Sequence, residues 1–584
     1  MLEEVNSRSN LRRLTYLSVI FLIMTAGFVV RLFERQIVRR SQFTALADKQ
    51  YYTKIDQPAK RGQIYIQDKD SIDLYDQSKS GLFPIAVDLE LYNIMAVPRN
   101  IIDKTDAAQK LAKVLGLNES DILSQINNDK WYVPPLEKRV TKEIADKVSA
   151  LSLKGIIIED QYARVYPENE FMSQLLGFVD YESNGRYGLE EYYDGILKGE
   201  GGTLQGIKDN RGKVFEVSQS DPGKDGASII LTIDRSIQYM AEKKLKEGIE
   251  RYAADGGTLI VADPKTGAIL AMASSPSYNP NKFNEVSQDK QSIFLNPATS
   301  LSWEPGSVFK PVIVSSALAE KKVEPDSKPD DIPGGFSNSI TVNGYEIHNS
   351  LDKPYGYETV SQILENSDNI GMVWIANKME NQTIYDYLRK FGFGQKTGID
   401  VSGEATGQIL PVRQWRDVSR ATISFGQGIS ATPIQIVMAY AAIANKGKMI
   451  KPTVLSKVID SGEVEKSTNG GSGNQVISED DAKKITEMLV SVVVNGHGKK
   501  AQVPGFRVAG KTGTAQIPKS GGGYEENQHV GSFAGFAPAD DPKFAMLVKF
   551  DKPKNVDWAE SSAAPIFGEM SDWLLNNYFK VSKQ

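Results

Sequence analysis

Glu304-Pro305-Gly306-Ser307-Val308-Phe309-Lys310-Pro311, followed by Val312-Ile313-Val314-Ser315-Ser316-Ala317-Leu318-Ala319, is the stretch on which the reading of this 584-residue chain turns. Pro305 and Gly306 predict a turn, and the apolar run after them predicts a helix with little polar face. Ser307 then falls at a helix N-terminus, where free N–H groups and the positive dipole end favour a developing anion. Lys310 shares its face one turn deeper. A lysine carried into a buried helix loses hydration, so its pKa falls and it can act as a base. The outline is a serine nucleophile beside a lysine base.

Ser-x-x-Lys alone decides little, because Ser287-Gln288-Asp289-Lys290 and Ser350-Leu351-Asp352-Lys353 repeat it in polar, loop-like text. Lys-Thr-Gly occurs at 265–267, 396–398 and 511–513, and the Ser-x-Asn matches include 277–279 and 367–369. Context separates them. Ser367-Asp368-Asn369 enters the apolar segment Ile370-Gly371-Met372-Val373-Trp374, a loop running into a helix. Lys511-Thr512-Gly513-Thr514 lies within strand-like text, with Gly510 and Gly513 expected to leave room for a substrate backbone. The first two Lys-Thr-Gly copies read as turns. Trp303, Phe309 and Trp374 read as core, Gln427 stays unassigned, and residues 521–524 read as a loop beside the site.

Outward from this centre, the chain divides. Residues 14–30 carry no charge, and Leu32-Phe33 extend them past Arg31. That is a little short for a span, but Arg31 can snorkel. No small-x-small cleavage site follows, which favours an uncleaved anchor over a signal peptide. Arginines flank both ends, so charge alone leaves the orientation open. The expected layout is a tail at 1–13, a transmembrane anchor at 14–33, a stalk and pedestal at 34–225, and a catalytic domain at 226–584. Residues 34–55 read as a helix-like stalk. The pedestal text predicts strands at 63–66 and 94–97 and helices at 107–115 and 141–151. Beyond 226 come a strand at 228–234, a helix at 235–254, a hairpin at 258–273, helical text from 305 to about 450, strands at 506–516, 529–537 and 543–550, and a helix at 564–576. This is an α+β pattern with helices covering an antiparallel sheet.

Composition is ordinary for globular protein, at 40% hydrophobic and 24% charged. A net charge of −5 gives no nucleic-acid signature. The absence of cysteine excludes a thiol nucleophile, disulfides and thiolate metal sites. Three histidines (His348, His497, His529) make a multi-histidine metal centre improbable and a Ser–His–Asp triad disfavoured, so no metal or cofactor is expected. His529 is given no catalytic role.

The ordered set Ser-x-x-Lys, Ser-Asp-Asn, Lys-Thr-Gly is the signature of penicillin-recognising serine enzymes. The chain resembles a class B (monofunctional) penicillin-binding protein, a peptidoglycan D,D-transpeptidase, closest in feel to the cell-division (septal) branch. The resemblance extends through Ser424-Phe425-Gly426-Gln427-Gly428, Ala444-Asn445-Lys446-Gly447, residues 510–516 and Phe533-Ala534-Gly535-Phe536. In the pedestal it rests on Arg61-Gly62, Arg164-Val165-Tyr166-Pro167 and Gly188-Leu189-Glu190. Two departures are Val308, where a small polar residue is common, and Gln67-Asp68-Lys69-Asp70, where an Asp-Arg-Asn-Gly-like turn is common.

The resemblance implies acyl transfer from peptidoglycan stem peptides ending in D-Ala-D-Ala. Ser307 would be the nucleophile and Lys310 its base. Ser367 would relay a proton, Asn369 would hold the substrate amide, and Lys511 would supply positive charge. Thr512, Gly513 and Thr514 would bind substrate, with the backbone N–H groups of Ser307 and Thr514 as oxyanion hole. β-Lactams would acylate the same serine. A cytoplasmic N-terminus, a catalytic domain outside, a membrane glycosyltransferase and other divisome partners are also implied. A β-lactamase would need a Glu-x-x-Leu-Asn-type base, and none stands between Asn369 and Lys511. A D,D-carboxypeptidase uses the same residues and stays open. A sensor would need more spans, and a scaffold would tolerate loss of Ser307.

Overall fold

The structure is a computed structural model that describes residues 2–44, 52–69, 81–208, 214–460, 463–466, 473–519, 521 and 523–583. It forms two compact units, residues 1–59 with 200–225, and residues 60–199 with 226–584.

The first unit holds helix α1 (Leu2–Phe33) and a π-helical turn, Glu34–Val38. Among the described residues, Leu11–Val38 is the one helical segment long and apolar enough to cross a membrane, with mean hydropathy 2.1. The helix-like stalk expected at 34–55 is helical over the described residues 34–38 and 40–44 and needs correction only at its far end. Tyr52–Gln57 is a strand pairing antiparallel with Gly202–Lys208, which in turn pairs with Val214–Asp221. The sequence Tyr52-Thr53-Lys54-Ile55 is aromatic and β-branched, which suits a pleated partner better than a free helix.

In the second unit the pedestal is built on a 15-residue strand, Leu82–Ala96, far longer than the expected 94–97. It pairs antiparallel with Ile156–Val165 over ten residues. Both were hidden by their polar middles, Asp88-Leu89-Glu90 and Glu159-Asp160-Gln161, whose half-exposed faces mask the apolar alternation. The expected helices appear as Lys104–Leu115 and Lys142–Ala150, burying Ala107, Leu111, Ala145 and Val148 against Ile94. Asp68 pairs with Arg235 at 3.0 Å, whereas Asp70 lies outside the described residues.

The catalytic half begins with Ser228–Asp234. The Asp234 carboxylate accepts from the N–H groups of Ser236 and Ile237 and starts helix α2 (Arg235–Tyr252), which a left-handed Ala253 ends. Five strands follow: β1 (Gly256–Ala262), β2 (Ile269–Ser275), β3 (Ala509–Pro518), β4 (Tyr524–Ala537) and β5 (Phe544–Asp551), in antiparallel order β2-β1-β5-β4-β3. The ladder of β3 begins at Ala509, so residues 506–508 fall outside the expected strand.

Side-chain alternation makes this sheet two-sided. Leu259, Val261, Val548 and Phe550 face α2 and helix α6 (Ala563–Trp573). Ile260, Leu547 and Phe536 face the helical block, where α3 (Lys310–Ala319), α4 (Asn369–Asn377) and α5 (Pro433–Ala444) lie. Helix α5 is apolar all round and nearly wholly buried, the expected fate of a helix without a polar stripe. Thr432 and Gln435 close its start as a capping box. Each fully buried phenylalanine between these layers, Phe550 and Phe567 among them, contributes about 1.5–3 kcal/mol. One small hairpin, Ser339–Val342 with Tyr345–His348, interrupts the helical text.

Candidate active site

Gly306 opens the central stretch at φ +59°, a conformation that glycine adopts without strain. Its N–H donates to Gly426 O at 3.0 Å. A Cβ on Gly426 would stand 2.2 Å from Gly306 O, so the Ser424–Gly428 motif is glycine-rich because two backbones touch there. Glu304 adds a clamp, accepting from Gly428 N at 3.0 Å and from the Tyr524 hydroxyl at 3.1 Å. Residues 306–309 form one 3₁₀ turn that runs into α3. The buried Tyr440 of α5 donates its hydroxyl to Val308 O at 2.8 Å. Ser307 is therefore held from both sides.

Gly513 and Gly510 differ from expectation. A Cβ on Gly513 would meet Val308 Cγ1 at 2.8 Å and Ser532 Oγ at 2.9 Å, and one on Gly510 would meet the Phe533 ring at 2.5 Å. The space a Cβ would take at both glycines is filled by the protein's own side chains packed against β3. Val308 is the residue that fills the notch, which accounts for its apolar identity.

Lys310 is fully buried. Its Nζ donates to Ser367 O at 2.6 Å, Asn369 Oδ1 at 2.8 Å and Ser367 Oγ at 3.2 Å. Burial, with Lys511 adding repulsion, drives its pKa well below the usual lysine value against the weaker pull of Asp368 and Glu358. Ser367 sits at φ +56°, uncommon for a residue with a Cβ and a mark of imposed geometry. Asp368 imposes it: its Oδ1 caps α4, accepting from Ile370 N at 2.7 Å and Gly371 N at 3.0 Å. Asn369 is oriented by donating to His348 O at 2.9 Å. Among the described residues Ser307 Oγ has no hydrogen-bond partner, so Lys310 is organised on the Ser-Asp-Asn loop alone.

Lys511 is also fully buried, with only long contacts among the described residues, to Thr512 O (3.2 Å) and Thr512 Oγ1 (3.3 Å). Burial, opposed by Glu560, lowers its pKa to about 7. Thr514 Oγ1 accepts from Ala559 N at 3.1 Å.

A cavity of about 90 Å³ opens on this cluster, with Ser307, Ser367, Thr512 and Thr514 on its wall. Lys310, Asn369, Lys511 and Gly513 are not on that wall. Five wall residues were not anticipated as site residues: Leu351, Asn366, His497, Trp558 and Glu560. Only the fold brings them in, although Gly496-His497-Gly498 is one of three histidine contexts in the chain and stands close before Lys511. Ser350 is a wall residue too, but its Lys353 is exposed and lies over the Tyr355 ring, so that copy has no buried base. Ser287 and Lys290 are both exposed. Lys265 pairs with Asp541, and the Thr397–Gly398 backbone is tied to Glu404. Trp374 is buried, donating to Asp331 at 2.9 Å, and His529 is off the cavity wall.

Residues 257–572 match the family described as penicillin binding protein transpeptidase domain, and residues 56–231 match the penicillin-binding protein dimerisation domain. Stage V sporulation protein D of Bacillus subtilis (strain 168) is 34% identical over 94% of this chain and 83% of its own length. Peptidoglycan D,D-transpeptidase FtsI of Escherichia coli (strain K12) is 31% identical over 84% of this chain and 81% of its own. Among solved structures, a peptidoglycan synthetase from Bifidobacterium adolescentis aligns with TM-score 0.73 and 26% identity, covering 91% of this chain and 98% of that one. Penicillin binding protein 3 of Mycobacterium tuberculosis, complexed with aztreonam, aligns with TM-score 0.68, 26% identity and the same coverage. A dimerisation domain followed by a transpeptidase domain, in a chain whose Ser307, Ser-Asp-Asn loop and Lys-Thr-Gly strand meet at one cavity, places the molecule: it belongs to the penicillin-binding protein transpeptidase family, as a class B member.

Proposed function

We propose that this chain is a serine-type peptidoglycan D,D-transpeptidase. The observation that carries the reading is Lys310, a fully buried amine held by Ser367 and Asn369 one turn after Ser307. Burial lowers the pKa of this amine, which favours the neutral form whose lone pair can accept a proton. Lys310 takes the proton of Ser307 Oγ, which attacks the carbonyl of the penultimate D-Ala. The backbone N–H groups of Ser307 and Thr514 stabilise the oxyanion, an effect worth about 10²–10³ in rate per donor. Ser367 passes a proton to the departing D-Ala amine. Asn369 holds the substrate amide, and Lys511, with Thr512, Gly513 and Thr514, receives the terminal carboxylate. The amine of a second stem peptide then resolves the ester, forming the cross-link and freeing Ser307. β-Lactams acylate Ser307 and are retained there, a reading supported by the aztreonam and ampicillin complexes of the Mycobacterium tuberculosis neighbour.

The domain assignment proposed is an anchor at 14–33, a stalk and pedestal at 34–225 and a catalytic domain at 226–584. The Leu11–Val38 helix is taken as a single-pass membrane anchor with its N-terminus cytoplasmic and the enzyme outside. Septal wall synthesis beside a membrane glycosyltransferase and other divisome proteins fits the FtsI relative. A sporulation-linked wall role is the second reading, favoured by the relative named for stage V sporulation.

The test is covalent labelling by a fluorescent penicillin, followed by intact-protein mass spectrometry. Ser307→Ala is expected to abolish a stable adduct. Labelling that persists in Ser307→Ala and is lost instead in Ser350→Ala or Ser287→Ala would overturn the assignment. Rapid turnover of the adduct by the wild type would point to a β-lactamase.

A further inference from the structure

Two side chains on the cavity wall have no part in the chemistry described so far. His497 lies in the turn after the helix Glu479–Val494, and Glu560 lies on the 3₁₀ turn Ala559–Ser561. His497 Nδ1 and Glu560 Oε2 are 3.0 Å apart, and both residues line the same cavity as Ser307.

Each is placed by its own backbone. Gly496 N and Gly498 N both donate to Val492 O, at 3.1 and 3.0 Å, and His497 N donates to Glu365 O at 3.2 Å. A Cβ on Gly496 would stand 2.4 Å from Glu365 O, so only glycine lets this turn press so close. The Glu560 turn is fastened to the Lys-Thr-Gly strand through Ala559 N and Thr514 Oγ1. A separate bond, Lys500 Nζ to Ser561 Oγ at 2.9 Å, already ties the two turns together. The histidine–glutamate pair is thus not required as a latch. Side-chain exposures of 32% and 34% leave both groups open to the cavity.

A carboxylate oxygen at hydrogen-bond distance from Nδ1 fixes the proton on Nδ1 and leaves the Nε2 lone pair free to accept. Among the described residues Nε2 has no hydrogen-bond partner. This is the base-and-orienter arrangement of a catalytic dyad. The donor half of the reaction already has its base in Lys310. What it lacks is a group for the second substrate, an amine that reaches the acyl-enzyme as an ammonium ion.

Resting on the transpeptidase reading above, we propose that His497 and Glu560 form the acceptor side of the site, His497 as base for the incoming ammonium and Glu560 as its positioning partner. Nε2 removes one proton from R–NH₃⁺, and the imidazolium formed is stabilised by Glu560. The freed nitrogen pair attacks the ester carbonyl carbon of acylated Ser307. The C–N bond forms, the C–Oγ bond breaks, and the second nitrogen proton passes to Oγ by way of Ser367 and Lys310. The products are the amide and free Ser307, and His497 releases its proton to water.

The experiment loads the full-length protein with a D-Ala thioester depsipeptide donor and supplies D-alanine as acceptor. Mass spectrometry reads the ratio of aminolysis to hydrolysis product, which is independent of how fast the donor loads. His497→Ala is expected to lower this ratio about 10²-fold or more, the scale of a lost general base. The isosteric Glu560→Gln lowers it several-fold. With hydroxylamine, which arrives neutral and needs no deprotonation, both losses shrink towards the wild-type ratio. An unchanged ratio in His497→Ala overturns the proposal, as does an equal loss with both acceptors, which would mean only a deformed cavity. A wild-type acyl-enzyme resolved by water alone overturns it too. Absence of any wild-type acyl-enzyme would instead overturn the transpeptidase reading.

Discussion

Two buried charge clusters in the second unit invite comparison. In the pedestal, Glu190 accepts from Arg61 Nε and Arg164 Nε, both at 2.7 Å, and from the Tyr166 hydroxyl at 3.1 Å. Arg61 continues to Asp194 at 2.7 Å, and Arg164 to Asp88 at 3.2 Å and Gly62 O at 2.8 Å. Burial opposes the Glu190 charge, but Arg164 and then Arg61 outweigh it and hold its pKa below the usual value. Around the cavity, Lys310 and Lys511 are equally buried and hydrogen-bond only to neutral oxygens among the described residues; burial lowers both pKa values, with Lys511 adding repulsion at Lys310 and Glu560 opposing the fall at Lys511. One cluster keeps its charges by pairing them and the other surrenders charge. A paired network holds a shape, whereas a cation short of partners is a base or a carboxylate receptor in waiting.

The comparison is tested most severely at Lys310. Lys310→Met should slow β-lactam acylation by about 10²–10⁴-fold, the scale of a lost general base. The same variant should melt no lower than wild type, because an undercompensated buried amine is replaced by an apolar chain of similar length. Stopped-flow acylation and thermal melts read both quantities, and a large fall in melting temperature without a rate change would break the contrast. Glu190→Gln should do the reverse. It replaces the carboxylate shared by two buried guanidinium groups with a neutral amide, leaving Arg61 only Asp194 and Arg164 only Asp88 as charged partners, at a cost of about 3–5 kcal/mol. Denaturant titration should report that loss, while acylation per folded molecule stays near wild type. Smaller still is Gly513→Ala, whose Cβ would press on Val308 Cγ1 at 2.8 Å and Ser532 Oγ at 2.9 Å. Overpacking of this kind costs about 1–3 kcal/mol, and Val308→Ala in the same chain should recover part of it.

The sequence was legible where a single element carries its own signal. The Pro-Gly turn, the apolar helix after Ser307 and the cap at Asp234 are written in consecutive residues, and local sterics decide them. The pedestal was less so, because Leu82–Ala96 and Ile156–Val165 are half-exposed strands whose polar centres cancel the period-two pattern. Arg61, Arg164 and Glu190 were visible as separate motifs, but nothing local says that they converge on one buried carboxylate. At the cavity the same limit applied: His497 and Glu560 stand 63 positions apart and meet only because their turns flank β3. Glycines misled for a related reason. Gly513 is small for the sake of Val308, over 200 residues earlier, a contact that no window of sequence contains.

The two clusters also separate by pH. Lys511 has a folded pKa of about 7, against about 10.4 for an unfolded lysine. Between those values the unfolded chain binds the extra proton, so stability rises with pH across that window and the gain is absent below pH 7. Lys511→Met removes the titrating group, so the wild-type-minus-variant difference in unfolding free energy should climb from pH 7 to about 10 and lie flat below. The Glu190 network has the same sign in a lower window: its lowered pKa gives stability that is full above the unfolded carboxylate value and drains only as acid protonates it. Function should follow the same titration. A carboxylate-bearing donor needs Lys511 charged, so its KM should rise as pH passes 7, while an uncharged ester donor shows no such rise. A bound carboxylate pairs with the ammonium and lifts its pKa, which keeps Lys511 charged in the complex and confines the effect to KM rather than kcat. A flat stability difference together with a pH-independent KM would mean that Lys511 keeps its proton as firmly as the pedestal arginines do, and the contrast between the two clusters would reduce to Lys310 alone.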